Sequence, residues 1–146
     1  LKVSGGCPPF TYLSLTGGAT GQGLPCAIGA AIACPDRRVL AFVGDGAAMY
    51  TVQALWTHAR ESLNITTVIL SNQSYKILEL EMKKRATVGP RAKSLIDLAV
   101  PPLQWVEVAR GLGVPAVSVA ETGELTRALT NAFMTQGPNL IEAKLR

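Results

Sequence analysis

Apolar residues along this chain come in short unbroken runs, separated by stretches of glycine, proline and polar residues. Val39 to Val43 is apolar throughout and stops at Gly44, which predicts an interior strand of a parallel sheet, covered on both faces. Thr66 to Leu70 is a second strand, rich in β-branched residues. Ala116 to Val119 and Leu140 to Ala143 are two more. Leu24 to Ala33 is apolar on all sides with Pro25 suited to a first turn, predicting a buried helix that closes near Pro35. Gly29 inside it would cost stability unless another backbone packs close. Further helices are predicted over Thr51 to Arg60, Tyr75 to Lys84, Trp105 to Leu112 and Thr122 to Thr135. In the second of these Ile77, Leu78 and Leu80 form the apolar side. Leu1 to Thr11 reads as an irregular lead-in, Gly17 to Gly23 as a flexible loop, and Ala86 to Pro102 as a long connection. This alternation predicts a single α/β domain over residues 1–146. It would be a three-layer, doubly wound fold with a mainly parallel sheet and helices on both faces.

At 146 residues the chain can bury a sizeable core. Only 16% of it is charged, which is little for a fully solvated domain and implies that part of its surface is covered by something else. No run is long enough for a membrane-spanning helix, so a soluble protein is expected. The sequence opens at Leu1 and lacks the pattern of a signal peptide, so the C-terminal fragment of a longer multidomain chain is expected. The net charge of +4 owes much to Lys83, Lys84, Arg85, Arg91 and Lys93. With no aromatic residues interleaved, that cluster reads as a solvated face or a domain contact, not a nucleic-acid surface. Cys7, Cys26 and Cys34 have no metal-ligand spacing and leave one over in any pairing, which fits a reducing, cytoplasmic setting.

Ligands of doubly wound sheets gather beyond the C-terminal ends of the strands. Two predicted strands end there in polar, turn-forming residues: Gly44-Asp45-Gly46 and Ser71-Asn72-Gln73-Ser74. One helix-sized crossover lies between them, and a right-handed β-α-β unit would bring Asp45 and Asn72 to the same sheet edge, on adjacent strands or one strand apart. A carboxylate and an amide oxygen are hard ligands suited to Mg²⁺, which commonly shares its sphere with phosphate oxygens. Flanking glycines allow close backbone approach, and a helix entered after Gly46 would aim its N–H groups at a phosphate. Each tripeptide alone reads as an ordinary turn. A dinucleotide fingerprint fails, because the sixth position from Gly44 is Met49 and the glycines from Gly18 come in the wrong order. His58 falls mid-helix, away from the strand ends, and reads as a surface or packing residue. Trp56 and Trp105 read as core or interface residues. Met49 and Gln53 could face a ligand or simply pack.

Gly44-Asp45-Gly46, followed after residues 47–71 by Asn72, resembles the thiamine-diphosphate motif of the 2-oxoacid decarboxylase and acetolactate synthase superfamily. Ser71 replaces the first of the two asparagines that often close the motif. Leu15 to Pro25 is similar to the glycine loop and buried helix of that family, and Gly137 to Glu142 to its closing segment. Tyr75-Lys76-Ile77-Leu78 is nearer to benzoylformate-decarboxylase-like and acetolactate-synthase-like proteins than to acetolactate synthases proper.

The resemblance implies Mg²⁺ bound by Asp45, Asn72 and the Ser74 carbonyl, and thiamine diphosphate lying along Gly44, Gly46, Ala47, Tyr75, Lys76 and Ile77. Backbone N–H groups of Gly46, Ala47 and Ile77 would reach the diphosphate; Ala47 stands where a serine is frequent. The Gly18 carbonyl would meet the aminopyrimidine, with Ala19 beside it and Thr20 where a bulkier apolar residue usually holds the cofactor bent. It further implies a 2-oxo acid substrate, a homodimer or homotetramer, and an activating glutamate on a pyrimidine-binding domain of the same or a neighbouring subunit. The chain alone would then be inactive. Two other readings stay open: a stand-alone cofactor-binding subunit completed by a separate chain, and a non-catalytic interaction module with this fold.

Overall fold

The computed structural model describes residues 5–85 and 89–145. Four strands, β1 (Val39–Gly44), β2 (Ile65–Ser71), β3 (Ala116–Val119) and β4 (Asn139–Lys144), form one sheet in the order β1-β2-β4-β3. Every pairing is parallel. Each return to the sheet uses helical crossovers: α1 (Gly23–Ala33) precedes β1, and α2 (Asp45–Met49) and α3 (Ala54–Arg60) lead to β2. After β2 come α4 (Lys76–Lys84), α5 (Pro90–Ile96) and α6 (Trp105–Gly111), and α7 (Thr122–Met134) joins β3 to β4.

The alternation of side chains along each strand divides the apolar residues between two layers. On one face Ala41 and Val43 of β1, Ile65 and Ile69 of β2 and Leu140 of β4 pack with Leu24, Leu55 and Trp105 from α1, α3 and α6. On the other, Val68, Ile141 and Val119 pack against Ala132 of α7. The three-layer parallel arrangement expected from the sequence is therefore the one adopted.

Several local expectations are corrected. Val39–Gly44 is an edge strand, paired with β2 alone in the sheet order, although every residue in it is apolar or glycine. Its neighbour β2 has the buried interior position, while Leu40 and Phe42 of β1 are 39% and 57% exposed. The helix expected over Thr51 to Arg60 starts later, as α3 at Ala54, and a separate short helix, α2, occupies Asp45–Met49 directly after β1. The connection expected over Ala86 to Pro102 contains α5, with Pro90 in its first turn, as its preset φ favours. Residues 86–88 of that stretch, and 1–4 of the lead-in, lie outside the described residues. Ile77, Leu78 and Leu80 are exposed, and no residue of α4 is buried. Gly29 is exposed, and a side chain there would meet nothing within 4 Å, so no close backbone accounts for it. Trp56 is exposed with Arg60 stacked on its ring, whereas Trp105 is fully buried.

Candidate functional site

Gly44 is in register with Leu70, so β1 and β2 release their chains at the same edge, as adjacent strands. Asp45 follows β1 and is 2% exposed. A buried carboxylate is costly unless hydrogen-bonded. Asp45 meets that need with two backbone donors: the Gly46 N–H reaches Oδ1 at 2.8 Å and the Gln73 N–H reaches Oδ2 at 2.6 Å. The second contact crosses from β1 to the turn after β2. In that turn the exposed Asn72 accepts the Ser74 N–H on Oδ1 at 3.0 Å, a local side-chain turn that fixes the amide oxygen. The Ser74 carbonyl accepts the Lys76 N–H at 2.9 Å. Asp45, Asn72 and Ser74 thus sit on two turns joined by one hydrogen bond.

Gly46 is buried, and its lack of a side chain has an unexpected reason. A Cβ there would fall 2.6 Å from Cδ1 of Tyr75 and 3.6 Å from Cδ1 of Leu98. The Tyr75 ring therefore occupies the space a side chain would fill. Gly44 faces open space, and Ala47 is half-buried against the core. Lys76 and Ile77 begin α4 and are exposed. The Lys76 ammonium is engaged by Glu79, and Lys76, then Lys83, hold the Glu79 carboxyl down to about 2. Lys84 pairs with Glu81, so much of this basic stretch is a solvated, salt-bridged face.

The glycine loop reaches the same end of the sheet by two close contacts. A Cβ on Gly21 would lie 2.7 Å from Cβ of Tyr50, and the Thr51 hydroxyl donates to the Gly21 carbonyl at 2.7 Å. A Cβ on Gly23 would lie 2.9 Å from Cγ2 of Val43. Gly17, Gly18 and Gly21 all have positive φ, a conformation that glycine adopts freely. Gly18, Ala19 and Thr20 are exposed, and no described hydrogen bond joins them to the Asp45 and Asn72 turns.

His58 is fully buried in α3, so it is a packing residue. Its Nε2 lies 3.3 Å from the Leu24 carbonyl, joining α3 to α1, while Nδ1 has no hydrogen-bond partner among the described residues. Burial lowers its pKa, against the opposing effect of the carbonyl contact. Met49 ends α2 and Gln53 directly precedes α3; both are exposed. Two concavities of ≈ 400 and ≈ 410 Å³ lie elsewhere, one lined by Ser62, Gly113 and Gly137, the other between β3 and α7.

Sequence reasoning missed two features of the site. The Gln73 N–H reaches Asp45 from a residue with a positive φ of 55°, which the residue type does not announce. Ile96 to Leu98 also packs on the Ser74–Tyr75 turn, through Tyr75 N–H to Ile96 O at 2.9 Å and Leu98 N–H to Gln73 O at 2.9 Å. Gly89-Pro90 was the available signal for a helix leading into that segment.

A family model described as the thiamine pyrophosphate enzyme C-terminal TPP-binding domain matches residues 6–143. The chain belongs to this family. It is 45% identical over 144 residues to a protein of Mycobacterium tuberculosis named for the acetolactate synthase large subunit, IlvX, covering 97% of this chain and 28% of that one. It is 37% identical over 135 residues to a benzoylformate decarboxylase of Pseudomonas aeruginosa, covering 92% and 24%. Among solved structures, a thiamine diphosphate-dependent 4-hydroxybenzoylformate decarboxylase of Rhodococcus jostii superposes with a TM-score of 0.77 at 35% identity, covering 86% of this chain and 23% of that one. The chain spans about a quarter of the length of these relatives. It is thus a TPP-binding domain of the type found in decarboxylases and acetolactate-synthase-like proteins.

The donors present fit a magnesium ion. One carboxylate, one amide oxygen and one peptide carbonyl are hard oxygen ligands of the kind Mg²⁺ takes alongside phosphate oxygens. The Asp45 carboxylate already accepts two backbone N–H groups, one on each oxygen, and the Asn72 and Ser74 oxygens accept one each, which fixes their directions and leaves further lone pairs. Among the described residues no group of three or more His, Cys, Asp or Glu converges, so the softer or carboxylate-rich metal sites have no counterpart. No helix is long and apolar enough to cross a membrane among those residues.

Proposed function

We propose that this chain holds the diphosphate end of thiamine diphosphate through Mg²⁺, as the diphosphate half-site of a 2-oxoacid decarboxylase or acetolactate-synthase-like carboligase. The observation that carries the reading is the hydrogen bond from the turn after β2 to the buried Asp45 carboxylate after β1. It joins the two halves of the family motif at one sheet edge. In this reading Asp45 and Asn72 supply side-chain ligands and Ser74 a carbonyl. Gly46, Ala47 and Ile77 present backbone N–H groups to the diphosphate beside Gly44, Tyr75 and Lys76. The Gly18 carbonyl orients the aminopyrimidine, with Ala19 and Thr20 along the cofactor.

Held by these residues, the cofactor would supply the carbanion chemistry by which a 2-oxo acid is decarboxylated. This chain's residues bind and orient. No glutamate here sits in a matching activating motif, so catalysis needs a pyrimidine-binding domain from the same or a neighbouring subunit, in a homodimer or homotetramer. The relatives' length, about four times the matched part, supports that larger assembly. The 146-residue chain is accordingly one domain of a multidomain enzyme and has no turnover alone.

The test is thermal unfolding with thiamine diphosphate and Mg²⁺, with Asp45→Ala in parallel. At a hundredfold over the dissociation constant the ligand adds about 2.7 kcal/mol. The expected result is a rise that needs Mg²⁺ and is lost in Asp45→Ala. A rise that persists in the variant, or no rise in either protein at saturating ligand, would overturn the proposal.

A further inference from the structure

Gln73 stands between Asn72 and Ser74 without an assigned role, in a conformation that side-chain-bearing residues rarely adopt. Its φ of 55° places it in the left-handed region, shared among described non-glycine residues only with Ser62. Such backbone persists where its surroundings over-determine it, commonly at functional sites. Both peptide groups of Gln73 are engaged. Its N–H donates to Asp45 Oδ2 at 2.6 Å, and its carbonyl accepts the Leu98 N–H at 2.9 Å. Alongside, Ser74 makes an antiparallel bridge with Asp97, and the Tyr75 N–H donates to Ile96 O. Ile96 is 6% exposed, and Leu98 approaches Gly46 from the same side as the Tyr75 ring.

We propose that Gln73 is a positioning residue for the Asp45 carboxylate, and that Ile96–Leu98 is a strap holding Gln73 in its left-handed turn. The proposal rests on Asp45 and Asn72 being the magnesium ligands. Magnesium demands near-ideal octahedral geometry, so a carboxylate that serves it must be oriented before the ion arrives. Asp45 and Asn72 leave different strands, and the Gln73 N–H is the described hydrogen bond that ties one turn to the other. The left-handed turn directs that N–H to Asp45 and the following carbonyl to Leu98 in one step. Freeing the strap would release the carbonyl and let the turn relax, loosening the carboxylate although neither ligand is touched. The metal end is thereby coupled to the connector between α5 and α6, far away in sequence.

Gln73→Val, Gln73→Gly, Gln73→Asn and Leu98→Pro test this. A β-branched residue resists positive φ, whereas glycine and asparagine accept it. Leu98→Pro removes the N–H given to Gln73, and the extended backbone at Asp97 (φ −83°, ψ 126°) is compatible with a following proline. Two quantities are measured: the Mg²⁺ midpoint for thiamine diphosphate binding by calorimetry, and amide exchange at Leu98 and Gln73 in the unliganded protein. Expected is an Mg²⁺ midpoint raised about tenfold in Gln73→Val and several-fold in Leu98→Pro, roughly 1.4 kcal/mol or less. Gln73→Gly and Gln73→Asn should stay within about threefold of the parent, a rescue that a merely structural side chain would not give. In Gln73→Val the Leu98 amide should exchange faster. An unchanged midpoint in Gln73→Val and Leu98→Pro, with the parent binding normally, overturns this inference and leaves the metal site standing. Mg²⁺-independent binding in the parent overturns the metal reading and this inference with it. Faster Leu98 exchange with an unchanged midpoint would show a strap without a positioning role.

Discussion

The sheet with its flanking helices and the helices α4 and α5 beyond its C-terminal edge are built from similar apolar residues and treat them in opposite ways. Leu24, Leu55, Ile69, Trp105 and Leu140 are fully buried in one core. In α4, Ile77, Leu78 and Leu80 are exposed, and α5 buries only Ile96. The end of α5 is tied to the turn after β2, where Ile96 and Leu98 pair with Tyr75 and Gln73. Stability in this molecule therefore resides in the sheet layer, and α4 and α5 are joined to it through backbone hydrogen bonds between Gln73–Tyr75 and Ile96–Leu98.

The largest effect expected from breaking this contrast is in the core. Trp105→Ala removes a fully buried indole and should destabilise the chain by about 3–5 kcal/mol, read from the midpoint of urea denaturation. The same truncation logic in α4 should give little: Leu80→Ala should stay within about 0.5 kcal/mol, because its side chain is exposed already. A Leu80 effect approaching that of Trp105 would erase the distinction between the regions.

Between these extremes lies a pH effect confined to the core. His58 is buried with its pKa lowered from 6.5, so the folded protein resists the proton that the unfolded chain accepts. The unfolded state then binds more protons below pH 6.5, and stability falls as pH drops through that value towards the lowered folded pKa. Above pH 6.5 the contribution is complete. His58→Gln should flatten the dependence between pH 7 and 5, measured by denaturation at stepped pH. An unchanged slope would place the acid sensitivity in other groups.

Much of the layered fold was legible because it follows from local pattern: four apolar runs, helical stretches between them and turn-forming residues after two of the strands. Asp45 and Asn72 were legible because a parallel crossover constrains where two strand ends meet. The edge position of β1 was not. Val39–Gly44 reads as an interior strand from its apolar residues alone, and only the pairing order reveals which strand has a neighbour on each side. Likewise Ile77 and Leu80 carry the helical pattern of a buried stripe, but no pattern says whether the covering surface lies within the same chain. Gln73 was hidden for another reason: a left-handed φ at a glutamine is imposed by Asp45 and Leu98, and neither leaves a mark on the residue type at position 73.

The approach of the Tyr75 ring to Gly46 makes two separated positions a single choice. The volume beside the buried turn is spent once, by a ring on the second strand's side or by a side chain on the first's. In a library varying both positions, the folded members should lie along a diagonal, the smallest residue at 46 going with the largest at 75. Neither column of such a table would be interpretable alone. Position 46 would look intolerant of every substitution so long as the tyrosine was kept, and its tolerance would return as position 75 shrank.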